Sequence, residues 1–248
     1  MINLILMAVL NLLVGACIGL TGIAGFLLPM FYTGFLGMGS SEALALSFAA
    51  FLISGVLGSI NYHKSGNLDM ETAKILSLGS FIGALGGVKI NLLIPEGTMK
   101  IILYLVVLLS GISILLRKDK ENTGDAKKKK NPVFFLILGI ITGAICAASG
   151  AGGPVLVMPI LTLLGIPAHT AVGISLFDSI FIALPAAIGY LNVAAGNKEV
   201  FILLPILLIA HGIGVFAGSK NATRINQKLL KQIVAVASIA IACIKLFL

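Results

Sequence analysis

Apolar runs long enough to cross a bilayer alternate along this chain with short polar connections. A helix needs about 20 residues to span the hydrocarbon core. Seven stretches reach or approach that length: Ile2 to Leu20, Glu42 to Ile60, Ile75 to Ile94, Lys100 to Leu116, His169 to Tyr190, Val200 to Gly218 and Leu229 to Phe247. The pattern predicts an all-α, polytopic membrane protein.

Two runs are too long for one simple helix. The first extends from Ile2 to Leu36, the second from Pro132 to Leu164. Each is interrupted by small residues: Thr21-Gly22-Ile23-Ala24-Gly25 in one, Ser149-Gly150-Ala151-Gly152-Gly153-Pro154 in the other. Glycine inside a helix costs about 1 kcal/mol, and proline has no backbone N–H to donate. Each opening run is therefore expected to be two pieces, a helix of about 17–19 residues and a shorter one of about 11.

The two interruptions also mark a repeat. Ile60-Asn61-Tyr62 answers Ile188-Gly189-Tyr190, and the stretch Gly83 to Lys89 answers Gly214 to Lys220. The three offsets are 128, 128 and 131, so order and spacing are both kept. An internal duplication explains this better than composition bias, and duplication is common in secondary transporters. The expected organisation is a first membrane repeat over 1–116, a polar linker over 117–131 and a second membrane repeat over 132–248. Each repeat holds a broken or re-entrant opening pair plus three further transmembrane helices.

Composition excludes a soluble domain: 58% of residues are apolar and 10% charged, with a mean hydropathy of +1.12. The net charge of +8 does not point to nucleic acid, because the basic residues sit between apolar runs. That is the positive-inside bias of cytoplasmic loops. If each opening run goes in and comes back, 13 of the 17 basic residues share one side, leaving Lys89, Lys100, Lys198 and Lys245 opposite. Eight simple crossings would divide them 11 against 6, a weaker bias toward one side. The broken-hairpin arrangement makes the count per repeat odd, so the repeats are expected to be inverted. It also places the 117–131 linker, with Lys127 to Lys130, in the cytoplasm and the chain in the cytoplasmic membrane.

Cys17, Cys146 and Cys243 all lie in apolar runs, without metal-ligand spacing, and read as packing residues. No metal or cofactor is expected. Val14-Gly15-Ala16-Cys17 comes close to a lipoprotein cleavage site, but no basic residue precedes the apolar run and more membrane follows. The first segment is expected to stay.

The paired interruptions carry the candidate chemistry. A broken helix in lipid leaves backbone N–H and C=O groups without partners, so protein or a water-filled cavity must surround the break. Half-helix N-termini offer free N–H donors and positive partial charge, which suits a small anion. Pro154 fits the first turn of such a half-helix. Gly22, Gly25, Gly150, Gly152 and Gly153 let backbone approach a solute, and the Thr21 and Ser149 hydroxyls are candidate donors. Ser47 and Ser175 match across the repeats and join the candidate substrate-binding set. Gly83 with Gly87 and Gly214 with Gly218 read instead as close helix packing.

The two-repeat layout, the small-residue-rich opening helices and Ser149 to Pro154 resemble the sulfite exporter family TauE/SafE, also called toluenesulfonate uptake permeases. The resemblance covers nearly the whole chain. It implies transport of sulfur-containing or organic anions such as sulfite or sulfonates across the cytoplasmic membrane. The first interruption departs from the glycine-rich pattern, with Ile23-Ala24-Gly25-Phe26 where the second has Ala151-Gly152-Gly153-Pro154. If one break dominates, it should be the second.

Two ionisable residues lie within apolar runs. Asp178 sits mid-way through its run and has Ala50 as its counterpart, so it lies outside the duplicated plan. It reads either as a proton or cation coupling site or as an acid hydrogen-bonded between helices. His211 matches Ser80 and reads either as a proton relay or as a neutral histidine bonded to a carbonyl. Lys89 and Lys220 read as anion-attracting or as snorkelling to the interface. Pro185 and Pro205 are expected to kink or end their helices. No phosphate-binding loop of the Gly-x-x-x-x-Gly-Lys-Ser/Thr type is present, so the chain itself is not expected to use ATP. No nucleophile with a base stands out, so an intramembrane enzyme is the weaker alternative; a passive anion channel is the other. The expected partners are a small anionic substrate and the lipid bilayer. A homo-oligomer is compatible with the sequence.

Overall fold

A computed structural model describes residues 2–22, 24–116 and 131–222, together with single helical positions between 232 and 246. Ile23, the 117–130 part of the linker and most of the Leu229 to Phe247 run lie outside the described residues. The described chain is helical: α1 (Ile2–Thr21), α2 (Leu27–Gly34), α3 (Ser40–Lys64), α4 (Met70–Leu93), α5 (Glu96–Leu116), α6 (Pro132–Ser149), α7 (Gly153–Leu163), α8 (Ala168–Val193) and α9 (Lys198–Lys220). Among the described residues, six helices are long and apolar enough to cross a membrane: α1, α3, α4, α6, α8 and α9. Their outer faces expose large apolar side chains such as Ile5, Leu78, Ile137 and Ile209. That exterior suits hydrocarbon rather than water. The protein is an integral, multi-pass membrane protein.

Short polar residues start several helices. Asp69 accepts from the Thr72 N–H, Asn131 from the Val133 N–H and Asn197 from the Glu199 N–H. Pro132 follows Asn131 directly, where its missing N–H costs nothing. Pro185 and Pro205 do not end α8 and α9, which continue through them.

Both opening runs break where the glycines are. Gly22 and Gly150 adopt φ +75° and donate back to Ile18 and Cys146 at 2.7 and 2.9 Å. This left-handed cap closes each first helix. The pieces that follow have 8 and 11 residues, so they rise only about 12 and 16 Å, well short of a crossing. They fold back along the helices they follow. Asn11, mid-way along α1, donates to the Tyr32 hydroxyl of α2 at 2.6 Å. The Cys146 thiol of α6 lies beside the Leu156 backbone of α7. Tyr32→Phe removes the first of these cross-links. It is expected to lower stability by about 0.6–1.7 kcal/mol, the range for interhelical bonds in membranes, as read by thermal unfolding in detergent.

Contacts between helix ends give the directions. Tyr62, near the end of α3, donates to the Gly19 and Leu20 carbonyls at the end of α1, so α1 and α3 run parallel. Tyr190, near the end of α8, donates to Ala147 near the end of α6 at 2.8 Å. In contrast, α3 and α8 are antiparallel. Asn197, just beyond α8, donates to Glu42 in the first turn of α3 at 2.6 Å. Gly173, early in α8, packs on the Asn67 carbonyl just beyond α3. The segments that the offsets pair, α1 with α6 and α3 with α8, therefore point in opposite directions.

Glycines hold the flanking pairs together. An added Cβ on Gly79, Gly83 or Gly87 of α4 would lie 2.1, 2.0 or 2.3 Å from the Leu136, Ile140 or Ala144 carbonyl oxygen of α6. On Gly214 or Gly218 of α9 it would lie 2.1 or 2.2 Å from the Leu12 or Ala16 oxygen of α1. Real Cβ contacts are never that short, so these two parallel pairs depend on bare backbone. α3 and α8 form the buried centre between them. Lys89 and Lys220 are exposed, and the Lys220 ammonium lies over the Phe216 ring.

Candidate functional site

The two breaks meet. Gly22 and Gly25 from one side and Ala151, Gly152 and Pro154 from the other line a single cavity, completed by Ile18, Phe51, Ser54, Val155 and Ser179. An added Cβ on Gly22 would lie 3.5 Å from the Pro154 Cβ, and Gly25 and Gly152 both pack on the Phe51 ring. Both fold-back helices start here, so the N-termini of α2 and α7 converge on one place. Gly152 holds φ +75° and ψ 145°, a conformation open essentially only to glycine. It turns the chain so that α7 begins at Gly153 with its first N–H lacking an intrahelical acceptor.

The cavity is small: about 10 Å³ is free for the centre of a water-sized sphere, room for about one water molecule. No charged side chain lines it. The Ser54 and Ser179 hydroxyls belong to its lining, but they turn to the Ala50 and Leu176 carbonyls of their own helices at 3.2 and 2.7 Å, so the surface facing the cavity is apolar in this conformation. A solute of several heavy atoms needs the two breaks to separate, so this conformation is closed around its centre.

The sequence-predicted residues divide in two. Gly22, Gly25, Gly152 and Pro154 line the cavity; Gly150 and Gly153 shape the same break, with Gly153 packed on Ser179. Thr21 and Ser149 end α1 and α6, but their hydroxyls donate to the Cys17 and Ile145 carbonyls of their own helices at 2.8 and 2.7 Å. Each hydroxyl has one hydrogen, so neither offers a donor to the cavity in this conformation. The Ser149 oxygen instead receives the Ala151 N–H at 3.4 Å. Ser47 and Ser175 are buried, donate to the Ala43 and Ala171 carbonyls, and do not line the cavity in this conformation. Ser175 sits one helical turn before Ser179, about 6 Å from the level of the breaks.

Ser54, Ser179 and Phe51 were missed as lining residues. Isolated hydroxyls in an apolar helix usually bond their own backbone, so only the level of the breaks singles these out. Asn11 was also missed. It is buried, its side-chain nitrogen donates to the Met7 carbonyl and the Tyr32 hydroxyl, and its main-chain carbonyl accepts from His211 Nδ1 at 3.1 Å. A carbonyl can only accept, so Nδ1 carries a hydrogen. Nε2 then faces the Ser54 hydroxyl, which links His211 to the cavity wall. Asp178 is wholly buried on α8 beside Ser77 and Ser80 of α4. Proximity does not become bonding there: neither carboxyl oxygen has a partner in hydrogen-bond geometry, and neither does the Ser77 hydroxyl.

Broken helices meeting around a central cavity in an all-helical membrane protein are the architecture expected of a transporter. The profile of the sulfite exporter TauE/SafE family matches residues 6–244. The chain belongs to that family. It is similar to a probable membrane transporter protein of Haemophilus influenzae, 30% identical over 74% of this chain and 71% of the relative. Two probable membrane transporter proteins of Bacillus subtilis, YdhB and YjnA, are 25% and 27% identical over 93% and 94% of this chain, and over 94% and 95% of their own lengths. No solved structure matches significantly. As a member of the TauE/SafE family, the chain is a membrane transporter.

Proposed function

We propose that this TauE/SafE protein is a secondary exporter of small sulfur-containing or organic anions, such as sulfite or sulfonates, across the cytoplasmic membrane. It works by alternating access around the cavity between the two helix breaks, with the 117–131 linker in the cytoplasm. The observation that carries this reading is that Gly22, Gly25, Gly152 and Pro154, from breaks about 130 residues apart, line one cavity at two converging helix N-termini. An uncharged lining, with main-chain amides uncovered only as the breaks separate, binds an anion without holding it too tightly to release. The antiparallel course of α3 and α8 lets the bundle open toward either side around a fixed centre.

Reconstituted vesicles loaded with sulfite or a short sulfonate test the proposal. Anion movement against its own gradient, driven by an imposed ion gradient, supports it. Flux that only equilibrates the anion favours a passive channel instead, and indifference to every small anion removes both readings.

A further inference from the structure

Among the described residues, four buried side-chain polar atoms lack a hydrogen-bond partner; one is Asn11 Oδ1 in α1, and the other three gather where α8 meets α4. Asp178 and Ser77 are 0 and 1% exposed. The two Asp178 oxygens and the Ser77 hydroxyl all lack hydrogen-bond partners. Ser80 lies beside them, its hydroxyl already donating to Gly139 at 3.2 Å. A carboxyl buried without a partner calls for a proton, a cation or a donor to complete it. Hard metal cations take six or more oxygens. The cluster supplies one carboxyl and two hydroxyls, which is too few for a metal ion and enough for a proton.

No fixed charge competes for this role. Of the groups on elements packed against α8, Cys146 of α6 lies near Asp178. The charged and ionisable side chains of α3 and α4 (Glu42, Tyr62, His63, Lys64, Glu71, Lys74 and Lys89) lie toward the helix ends, α7 has none, and on α8 itself His169 is in the first turn and Tyr190 near the end. His211 belongs to α9, where it is engaged by Ser54 and Asn11.

The neighbouring residue connects this cluster to transport. Ser179 lines the cavity, and Gly153 at the start of α7 packs against it, an added Cβ lying 3.2 Å from the Ser179 Cα. A negative charge on Asp178 would act on a bound anion through low-dielectric protein rather than water. We infer that Asp178, with Ser77 and Ser80, is a proton-binding site coupled to the anion cavity: the anion is held while Asp178 carries a proton and is expelled once the proton leaves. Linkage makes the effect reciprocal, so an arriving anion draws a proton onto Asp178. The coupling rests on the anion reading; the proton site does not.

Two measurements on the purified full-length protein separate those parts. The first is calorimetric binding of ethanesulfonate in buffers of different ionisation heat. This sulfonate stays ionised across the assay range, so any proton taken up goes to the protein. The expected result, at a pH where Asp178 is ionised in the free protein, is uptake of about one proton per anion, with affinity falling by up to about tenfold per pH unit over that range. Asp178→Asn should bind with no uptake and with little dependence on pH. Unchanged uptake in Asp178→Asn overturns the inference. The second is infrared difference spectroscopy between low and high pH without any anion. A buried protonated carboxyl band is expected in the wild type and not in Asp178→Asn; its absence from the wild type at every pH overturns the proton site even if anions bind. That band present without ethanesulfonate binding overturns the coupling and the anion reading alone. Should Asp178→Asn fail to fold, Ser77→Ala serves in its place: the band is kept but its frequency and titration midpoint shift. An unmoved band contradicts the cluster.

Discussion

Gly152→Val is expected to abolish anion transport while the protein still folds and inserts. Two effects act together. The native φ of +75° with ψ near 145° is closed to a β-branched residue, a strain of about 1–3 kcal/mol that the break can relieve only by changing course. The new side chain would also enter the small space between the breaks, where even a Cβ meets the Phe51 ring at 3.3 Å. About 3 kcal/mol corresponds to about a 100-fold loss in occupancy, so flux in vesicles should fall by at least that factor. Gly66→Ala is the control. It sits at φ +74° in the α3–α4 turn with nothing within 4 Å of an added Cβ. It carries backbone strain in a turn that does not line the cavity, so it should lower stability by about 1 kcal/mol and leave transport intact.

Gly83→Ala is expected to be among the most damaging single-methyl changes to stability. The added carbon would lie 2.0 Å from the Ile140 carbonyl oxygen and 2.9 Å from the Ala144 nitrogen. Both are backbone atoms of α6, so relief requires moving a whole helix away from α4. Overpacking of this kind costs about 1–3 kcal/mol, and losing the close approach along α4 and α6 should put the effect at the upper end. Gly86→Ala, three residues on, faces open space and should be neutral or stabilising by up to about 1 kcal/mol. Thermal unfolding in detergent should separate the two variants clearly. Equal melting temperatures would mean that the α4–α6 contact is looser than its glycines imply. Gly214→Ala, against the Leu12 carbonyl, should behave like Gly83→Ala.

The breaks were legible because glycine and proline act on the backbone itself. Gly22 and Gly150 sit at left-handed caps, and Pro154 lies in the first turn of α7, where the physics of a single residue puts it. The short second pieces followed from the same residues, although α2 is shorter than expected at 8 residues. α3 and α8 run antiparallel, the relation expected if the halves are inverted. Side-chain partnerships were less legible. An apolar run says that a helix is buried in lipid or protein without saying which face meets which neighbour. So Ser47 and Ser175, which match across the halves, were preferred to Ser54 and Ser179, which do not match but lie level with the breaks. The Thr21 and Ser149 hydroxyls turned back onto their own helices for a local reason: near a helix end, the carbonyl four residues earlier is the nearest acceptor. Asn11 showed no pattern in sequence, because its partners Tyr32 and His211 lie 21 and 200 residues away.

Determining the structure with ethanesulfonate bound is the most direct test. The sulfonate oxygens should lie between the start of α7 and the turn before α2, within hydrogen-bond reach of main-chain amides at Gly25 or Gly152–Gly153, with the walls parted from their present closed spacing. An anion seated elsewhere in the bundle, or a complex in which α6 and α7 join into one continuous helix, would contradict a solute site made by paired backbone interruptions.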